Sequence, residues 1–419
     1  MAHPDDDIFF VNPEIRRTIR ADCPVDTAYL TAGDGGKKNH RAAVAYADSR
    51  EYGVKAAYAE TAEAANRWDR ADVRVDGVTV RSYRLADRGR TTDVRLTFLD
   101  LHDGLPNGSQ ANSLLRLFEG SRPSITAFRG DARYTEPRLL ATLAALVGLS
   151  RAERILTLDH DNASFAFALS GGVDHSDHGI GARYLRRTGY ALGVPVTAYL
   201  GYTMSQLPAN LTPGQEAEKN EVARWYIASR ECHGTGICTM PTPYEGPLQR
   251  DWSLWVRRQY RQIHRDPRPG EIIGDIGRTT HATGADPAQC LDAGTAAPDA
   301  SVRIHGCDGS GSQRWDLSHD GTIRPRSGPS LCLTAVGKAA ALRPCATGVP
   351  DQTWVREPWR AATWKRTAWR LQGAGRRCLF QDDRDLPADW DARNRTSPRL
   401  TLSDCGTTPR PELYWRWKD

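Results

Sequence analysis

The pattern of apolar and polar positions divides the chain into two grammars. Up to about residue 270, short strand-like runs alternate with longer helical patterns. Ala28-Tyr29-Leu30-Thr31-Ala32 predicts a strand that ends in the turn Gly33-Asp34-Gly35-Gly36. Ala42–Ala65 places Ala, Tyr and Val on one helical face. Val94–Leu101 alternates like a strand and breaks at Gly104-Leu105-Pro106-Asn107-Gly108. Leu139–Leu149 predicts a buried helix, Ile155–Asp159 a strand, Gly179–Leu192 a helix and Val196–Leu200 a strand; Pro213 opens a helix to about Ser229. Strands alternating with helices imply an α/β domain, with a mostly parallel sheet and ligands at the strands' C-terminal ends.

From His264 to Gly284 the chain is rich in Pro, Gly, Asp and Arg. We place the first domain at 1–270, a linker at 271–284 and a second domain at 285–419. The second domain repeats itself. Cys290-Leu291-Asp292, Cys332-Leu333-Thr334 and Cys378-Leu379-Phe380 start three units, 42 and 46 residues apart. Gln313-Arg314-Trp315 and Gln352-Thr353-Trp354 close the first two, and Leu413-Tyr414-Trp415 closes the third without the glutamine. A period of this length marks stacked supersecondary units.

Composition adds bounds. With 39% hydrophobic and 26% charged residues the chain has material for packed cores. Its net charge of +5 is spread without a long basic block or a nucleic-acid motif, so it reads as solvated surface. No apolar run reaches the ~18 residues of a transmembrane helix. Six of nine cysteines lie after residue 289 and taken in order form three pairs, a pattern suited to an oxidising compartment. Cys232 and Cys238 bracket a segment able to close a short loop, and Cys23 is expected to be a small buried residue.

The chemistry is concentrated at the start, in Ala2-His3-Pro4-Asp5-Asp6. His3 and Asp6 have the chemistry and separation to share one zinc ion, and Asp5 can face its open position as a base. Far downstream lies Asp174-His175-Ser176-Asp177-His178. Together the two motifs resemble those of the PIG-L/LmbE zinc-dependent de-N-acetylases, and the resemblance spans about residues 1–245, including Leu30–Gly36 and Arg50-Glu51. It implies a Rossmann-like sheet, Zn2+ held by His3, Asp6 and His178, and Asp177 orienting a histidine. It further implies Asp5 as general base and acid, His175 as oxyanion donor, and hydrolysis of the N-acetyl group of an N-acetylglucosamine-type sugar. Asp7 stands where the family usually has glutamate, and Arg50 is a candidate grip on a substrate hydroxyl or phosphate, or a surface salt bridge. In the family the first motif follows directly on the first strand of the sheet. Only Met1 and Ala2 precede it here, so that strand and an export signal are expected to lie upstream of this chain, with the ligands on a free end; the alternative is that another segment takes the strand's place.

The Cys-Leu starts and Gln-x-Trp closes resemble a ricin-type β-trefoil lectin, with the repeated tryptophan as core. The resemblance implies intra-repeat disulfides Cys290–Cys307, Cys332–Cys345 and Cys378–Cys405. Of its sugar-binding pattern the first repeat keeps Asp292 and Gln313, with His305 as platform and Ser312 in place of Asn. The second has Thr334 and Asp351, and the third has Phe380 and an inserted polar stretch around Asp382–Arg395. At most the first repeat is competent to bind a glycan, and a purely structural or docking role stands beside that reading. The reading as a whole is a secreted two-domain zinc amidohydrolase. Its alternatives are removal of a longer N-acyl group from a glycoconjugate, or a glycan-binding protein with an inactive α/β domain.

Overall fold

The computed structural model describes residues 1–86, 93–162, 165, 173–230, 242–262, 266–274, 288–359, 368–384 and 399–418. The chain forms two compact units. The first holds Met1–His160, Ser164–Leu185 and Val196–Gln262, and the second Asp161–Ala163, Arg186–Pro195 and Ile263–Asp419. Cys232 and Cys238 lie outside the described residues, as does most of the 382–395 insertion.

In the first unit the chain runs through a short π-helix (Asp7–Val11), α1 (Glu14–Arg20), β1 (Val25–Thr31), α2 (His40–Thr61), β2 (Trp68–Arg70), β3 (Val73–Val75) and β4 (Val78–Leu85). It continues through β5 (Val94–Leu101), α3 (Leu114–Phe118), β6 (Ile125–Thr126), β7 (Arg133–Tyr134), α4 (Glu136–Ser150) and β8 (Ile155–Leu158). Then come α5 (Ser176–Leu192), of which the residues from Arg186 on are counted in the second unit, β9 (Val196–Tyr199), α6 (Pro213–Arg230) and α7 (Arg250–Trp255). Every strand and helix expected from the pattern is present within a few residues. Side chains set the helix starts: Asn39 accepts from the Ala42 N–H at α2, and Thr135 accepts from the Arg138 N–H at α4.

The main sheet is mixed, not mostly parallel. Its order is β1-β5-β4-β2, with β3 also on β4, and β8 and β9 pair separately in parallel. β1 and β5 pair in parallel, whereas β4 pairs antiparallel with β5, β2 and β3. The reason is local. Asp76 and Gly77, both at positive φ, join β3 to β4 in two residues, and a two-residue turn forces antiparallel pairing. β5 is buried along its whole length, as an interior strand requires. The core gathers around Tyr29, Phe98, Tyr226 and the fully buried Ile8, Phe9, Phe10 and Val11 that follow the first motif.

Two expectations fail at the edge of this sheet. Cys23 is exposed. The apolar α4 buries only Leu139, Thr142 and Leu143, and leaves Leu149 48% exposed. Its length suggested burial, but one flank of α4 faces a groove of about 630 Å³ that β1 and β8 also line. The free end expected at His3 is also absent. Met1 donates to the Ala28 carbonyl at 2.7 Å, and the Leu30 and Thr31 N–H groups donate to the carbonyls of Met1 and Ala2 at 3.0 and 2.9 Å.

The second unit is β-rich and three-fold in its bonding. Three hairpins open its repeats: Gln289–Asp292 with Arg303–Gly306, Leu331–Val336 with Ala339–Pro344, and Arg377–Asp382 with Arg399–Asp404. The disulfides Cys290–Cys307, Cys332–Cys345 and Cys378–Cys405 each tie a hairpin's first strand to the residue after its second. Trp315, Trp354 and Trp415 are buried, and their indole N–H groups donate to Leu291, Leu333 and Leu379 at 2.9, 2.8 and 3.2 Å. Each bond satisfies an indole that the core would otherwise strand. Ile272–Gly274, inside the stretch expected as linker, is a strand paired to both Tyr414–Trp417 and Gln289–Asp292, which joins the last repeat to the first.

Replacing any one of these cysteine pairs by alanines is expected to destabilise the second unit by about 2–4 kcal/mol, most for the longest loop, Cys378–Cys405. Denaturant unfolding followed by tryptophan fluorescence measures it. Crossed pairing in non-reducing peptide mass maps would overturn the repeat assignment.

Candidate metal centre

The first motif is a tight turn clamped on both sides. Upstream, Met1 and Ala2 are bonded along β1; downstream, the Phe9 N–H donates to the Asp5 carbonyl and carries the chain into the buried helical turn. Inside the turn the N–H groups of Asp5 and Asp6 donate to the His3 carbonyl, and the His3 N–H donates to Asp6 Oδ2 at 2.6 Å. Asp6 therefore has Oδ1 left for the site.

His178 reaches that carboxylate from the first turn of α5, where Ser176 anchors the helix to the carbonyls of Leu105 and Pro106. Its Nδ1 pairs with Asp174 Oδ1 at 2.7 Å, which turns Nε2 inward. His178 Nε2 then lies 3.1 Å from Asp6 Oδ1 and 3.2 Å from His3 Nδ1, and His3 Nδ1 lies 3.5 Å from Asp6 Oδ1. Zinc–ligand bonds of about 2.0–2.1 Å in a tetrahedron separate donor atoms by roughly 3.4 Å. The triangle fits three corners of one such tetrahedron. All three residues are buried. Burial opposes charge here, yet His178 and His3 hold the Asp6 carboxyl well below the usual carboxylate range. Burial also pulls His178 down, but Asp6 and Asp174 push it up to about 9.

The other expected residues converge on the same place. Asp5 is held by two donors, the Tyr226 hydroxyl at 2.8 Å on Oδ2 and the Arg50 guanidinium on Oδ1. Arg50 also donates to the Gly33 carbonyl. It is therefore buried against the candidate base, neither a surface salt bridge nor a free grip for substrate. His175 Nδ1 accepts the Asp177 N–H at 3.2 Å, which leaves Nε2 as its donor atom, 3.4 Å from Asp103 Oδ1. Asp177 accepts from the Gly104 N–H and lies 3.3 Å from His3 Nε2. The histidine orientation expected of Asp177 is thus divided: Asp174 fixes His178 and Asp177 faces His3.

Sequence reasoning missed Asp103, Tyr226 and the role of Asp174. Asp103 joins His3, His175 and Asp177 in a second buried group able to contact an ion. Burial would raise its pKa, but the hydrogen bond and charge of His175 hold it well below the usual range. Its one signal was the cluster Asp100–Asp103 at the end of β5. Asp34, read as a turn residue, positions this aspartate by accepting the Asp103 N–H at 2.7 Å.

Residues 1–188 match the family model described as GlcNAc-PI de-N-acetylase, and residues 278–379 match the ricin-type beta-trefoil lectin domain. The first matched segment falls in the first domain read from the sequence pattern, and the second runs from the expected linker into the second domain. Among curated proteins it is similar to a probable alpha-galactosidase A of Aspergillus clavatus, 44% identical over 48 residues, 12% of this chain and 9% of that protein. A second, from Aspergillus niger, is 39% identical over 61 residues, 14% of this chain and 11% of that protein. The chain thus matches about a tenth of those relatives' length. Among solved structures, the C-half of the earthworm R-type lectin in complex with GalNAc shares 11% identity at a TM-score of 0.24, over 35% of this chain and 94% of that one. The Vibrio vulnificus hemolysin/cytolysin β-trefoil lectin with N-acetyl-D-lactosamine bound shares 18% at 0.21, over 30% and 82%.

In the lectin domain the three candidate sugar residues part company. Gln313 is fully buried; its amide donates to the Gly306 carbonyl and accepts from the Asp308 N–H, so it braces the loop and is not presented to a glycan. Gln352 repeats this on Pro344 and Ala346, which identifies the glutamine as structural. Asp292 is buried and accepts from the Gly294 N–H, while His305 is exposed.

In the first unit, if the triangle takes zinc, Asp174→Asn should weaken its binding by about 10–100-fold with the fold intact, the usual effect of losing the carboxylate that orients a histidine ligand. Competition with a fluorescent chelator reads this. Asp7 offers a pH test. It accepts the hydroxyls of Tyr58 and Tyr29 at 2.5 and 2.8 Å, and burial outweighs these bonds and raises its pKa from near 3.8 to about 6. A raised carboxyl pKa adds stability below about pH 4 that is lost as pH rises through 6. In chelator, Asp7→Asn should therefore remove a fall of on the order of 3 kcal/mol between pH 4 and 7; parallel stability–pH curves would refute it.

Proposed function

We propose that this chain is a zinc-dependent deacetylase that hydrolyses the N-acetyl group of an N-acetylglucosamine-type sugar or glycoconjugate, with its lectin domain holding the enzyme on a glycan. The observation that carries this reading is the donor triangle of His3, Asp6 and His178 with Asp5 beside it. A Rossmann-like sheet presenting the site at its strand ends is part of the same reading. Bound there, zinc would supply Lewis acidity, acidifying a water and polarising an amide carbonyl.

The chain's own residues do the rest. Asp5, oriented by Arg50 and Tyr226, accepts the attacking water's proton and returns it to the departing amine nitrogen, because amide cleavage requires that nitrogen protonated. His175, its ring held by the Asp177 N–H on Nδ1, donates its Nε2 hydrogen to the developing oxyanion, turning it from Asp103 Oδ1, which lies 3.4 Å from that atom in the resting site. Phe10, Tyr202 and Trp255 pack beside His178 and supply an apolar wall that limits water. Acetate and a free amine leave. The three disulfides of the lectin domain fit an extracellular setting, and among the described residues no helix is long and apolar enough to cross a membrane. Asp292 and His305 are the candidates for glycan contact, which would raise the enzyme's effective concentration on its substrate.

Acetate release from a panel of N-acetylated amino sugars and glycans, with and without chelator, tests the activity. Asp5→Asn should keep zinc and lose about 10²–10⁴-fold in turnover, whereas His178→Ala should lose the metal itself. Near-parental turnover of Asp5→Asn, or a full zinc complement in His178→Ala, would sink the corresponding assignment.

A further inference from the structure

One guanidinium beside the candidate base has no counter-charge. In α6, Tyr226 and Arg230 are four residues apart and so lie on one face, one turn from each other. The Tyr226 hydroxyl donates to Asp5 Oδ2, which places Arg230 next along the wall that leads away from the base. In α2, Arg50 donates to Asp5 Oδ1, and Tyr46 lies one turn before it. The two helices meet so closely at Gly53 that a Cβ there would strike the Tyr226 ring and carbonyl, at 2.6 and 2.8 Å. The Arg230 guanidinium sits against two rings, 5.1 Å from Trp252 and 5.7 Å from Tyr46. Rings soften the burial of a cation without neutralising it. Its Nε and Nη1 are buried without a hydrogen-bond partner, and among the described residues no carboxylate is within ion-pair reach of its side chain. The acids of α2 and of the first motif are engaged elsewhere: Asp5 holds Arg50 and Tyr226, Asp48 holds Arg129, and Glu51 holds Lys55 and Arg81. Lys37 adds a further positive charge over the Tyr46 ring at 4.7 Å, and it is exposed, so these cations open to solvent.

We propose that Arg230 is a specificity-determining residue that binds an oxyanion substituent (carboxylate, sulfate or phosphate) on the sugar whose acetamide lies against Asp5. The inference rests on the deacetylase reading and adds the class of substrate, an acidic amino sugar. Arg230 supplies what such a group needs: unpaired N–H donors on a charge that folding has already desolvated. One helical turn, about 5.4 Å, separates it from the residue that bonds Asp5, so the anion would bind beside the reacting amide and not on the metal. Lys37 at the rim would draw anions inward by longer-range attraction, which salt weakens. A neutral sugar would gain nothing from Arg230.

Binding is measured by calorimetry on the full chain in chelator, so that turnover plays no part. The probes are N-acetylglucosamine, its 6-sulfate, its 6-phosphate and its 3-O-lactyl ether, which carries a carboxylate. At least one charged sugar should bind about tenfold tighter than the neutral one, and which one does so identifies the oxyanion. Arg230→Gln should erase that preference and leave the affinity for N-acetylglucosamine unchanged. Arg230→Lys, which keeps a charge but loses the planar fork, should reduce it severalfold, and it serves should the glutamine variant fail to fold. Because Arg230 belongs to the first unit, these variants separate its site from sugar binding by the lectin domain. Equal affinities for all four sugars, no measurable binding of the charged three, or a preference that survives either change undiminished overturns the proposal. Acetate release with zinc then separates the two readings. A charged-sugar preference without acetate release sinks the deacetylase reading alone, and equal release from charged and neutral sugars sinks the role of Arg230 alone.

Discussion

The candidate active site hangs on the hydrogen bonds that hold Met1 and Ala2 against the end of β1. Two of three ligands in the proposed triangle sit within six residues of the amino terminus, where chains ordinarily fray. Here the backbone is clamped to Ala28, Leu30 and Thr31 on one side and drawn into the core by Ile8–Val11 on the other. The intervening turn has little freedom left, and Asp6 removes more of it by accepting the His3 N–H. A ligand set is only as good as the entropy already spent in assembling it, and for the proposed triangle the backbone alone spends it.

Electrostatics complete what the backbone begins. The site buries Asp6, Asp103, Asp174 and Asp177 beside His3, His175 and His178. Buried carboxylates are tolerated only when paired, and each has a histidine nitrogen or backbone N–H within reach. The same pairing that makes the cluster stable settles its chemistry, since the partner on one ring nitrogen decides what the other can do. Asp174 on Nδ1 leaves His178 Nε2 as a ligand atom; the Asp177 N–H on Nδ1 leaves His175 Nε2 as a donor. Asp5 lies just outside, bonded to Arg50 and Tyr226 and to neither histidine.

The lectin domain follows a simpler rule applied three times. Each repeat is a hairpin, a disulfide and a tryptophan whose indole bonds a leucine carbonyl, and the last strand closes on Ile272–Gly274. Its divergence lies where that rule leaves positions free. Gln313 and Gln352 keep bracing roles, while the matching positions Asp292, Thr334 and Phe380 differ: Asp292 accepts the Gly294 N–H and Thr334 donates to the Cys332 carbonyl.

What the sequence determined by itself is the chemistry carried by adjacent residues. His3, Asp5 and Asp6 share one turn, and His175, Asp177 and His178 one helix start; the Cys-Leu and Gln-x-Trp repeats announce three equivalent units. Residue identity and short spacing suffice for these, because neighbours in the chain are neighbours in space. The tertiary structure decided everything that depends on which distant atoms meet. It brought His178 to His3 across 175 positions, placed Asp103 beside His175, and turned Arg50 and Tyr226 onto Asp5. It left Cys23 and Leu149 exposed where apolar character suggested burial, and opened the groove beside β1. None of these could be read along the chain, because a side chain's burial and partners are set by the surface that folds against it, and that surface comes from elsewhere in the sequence.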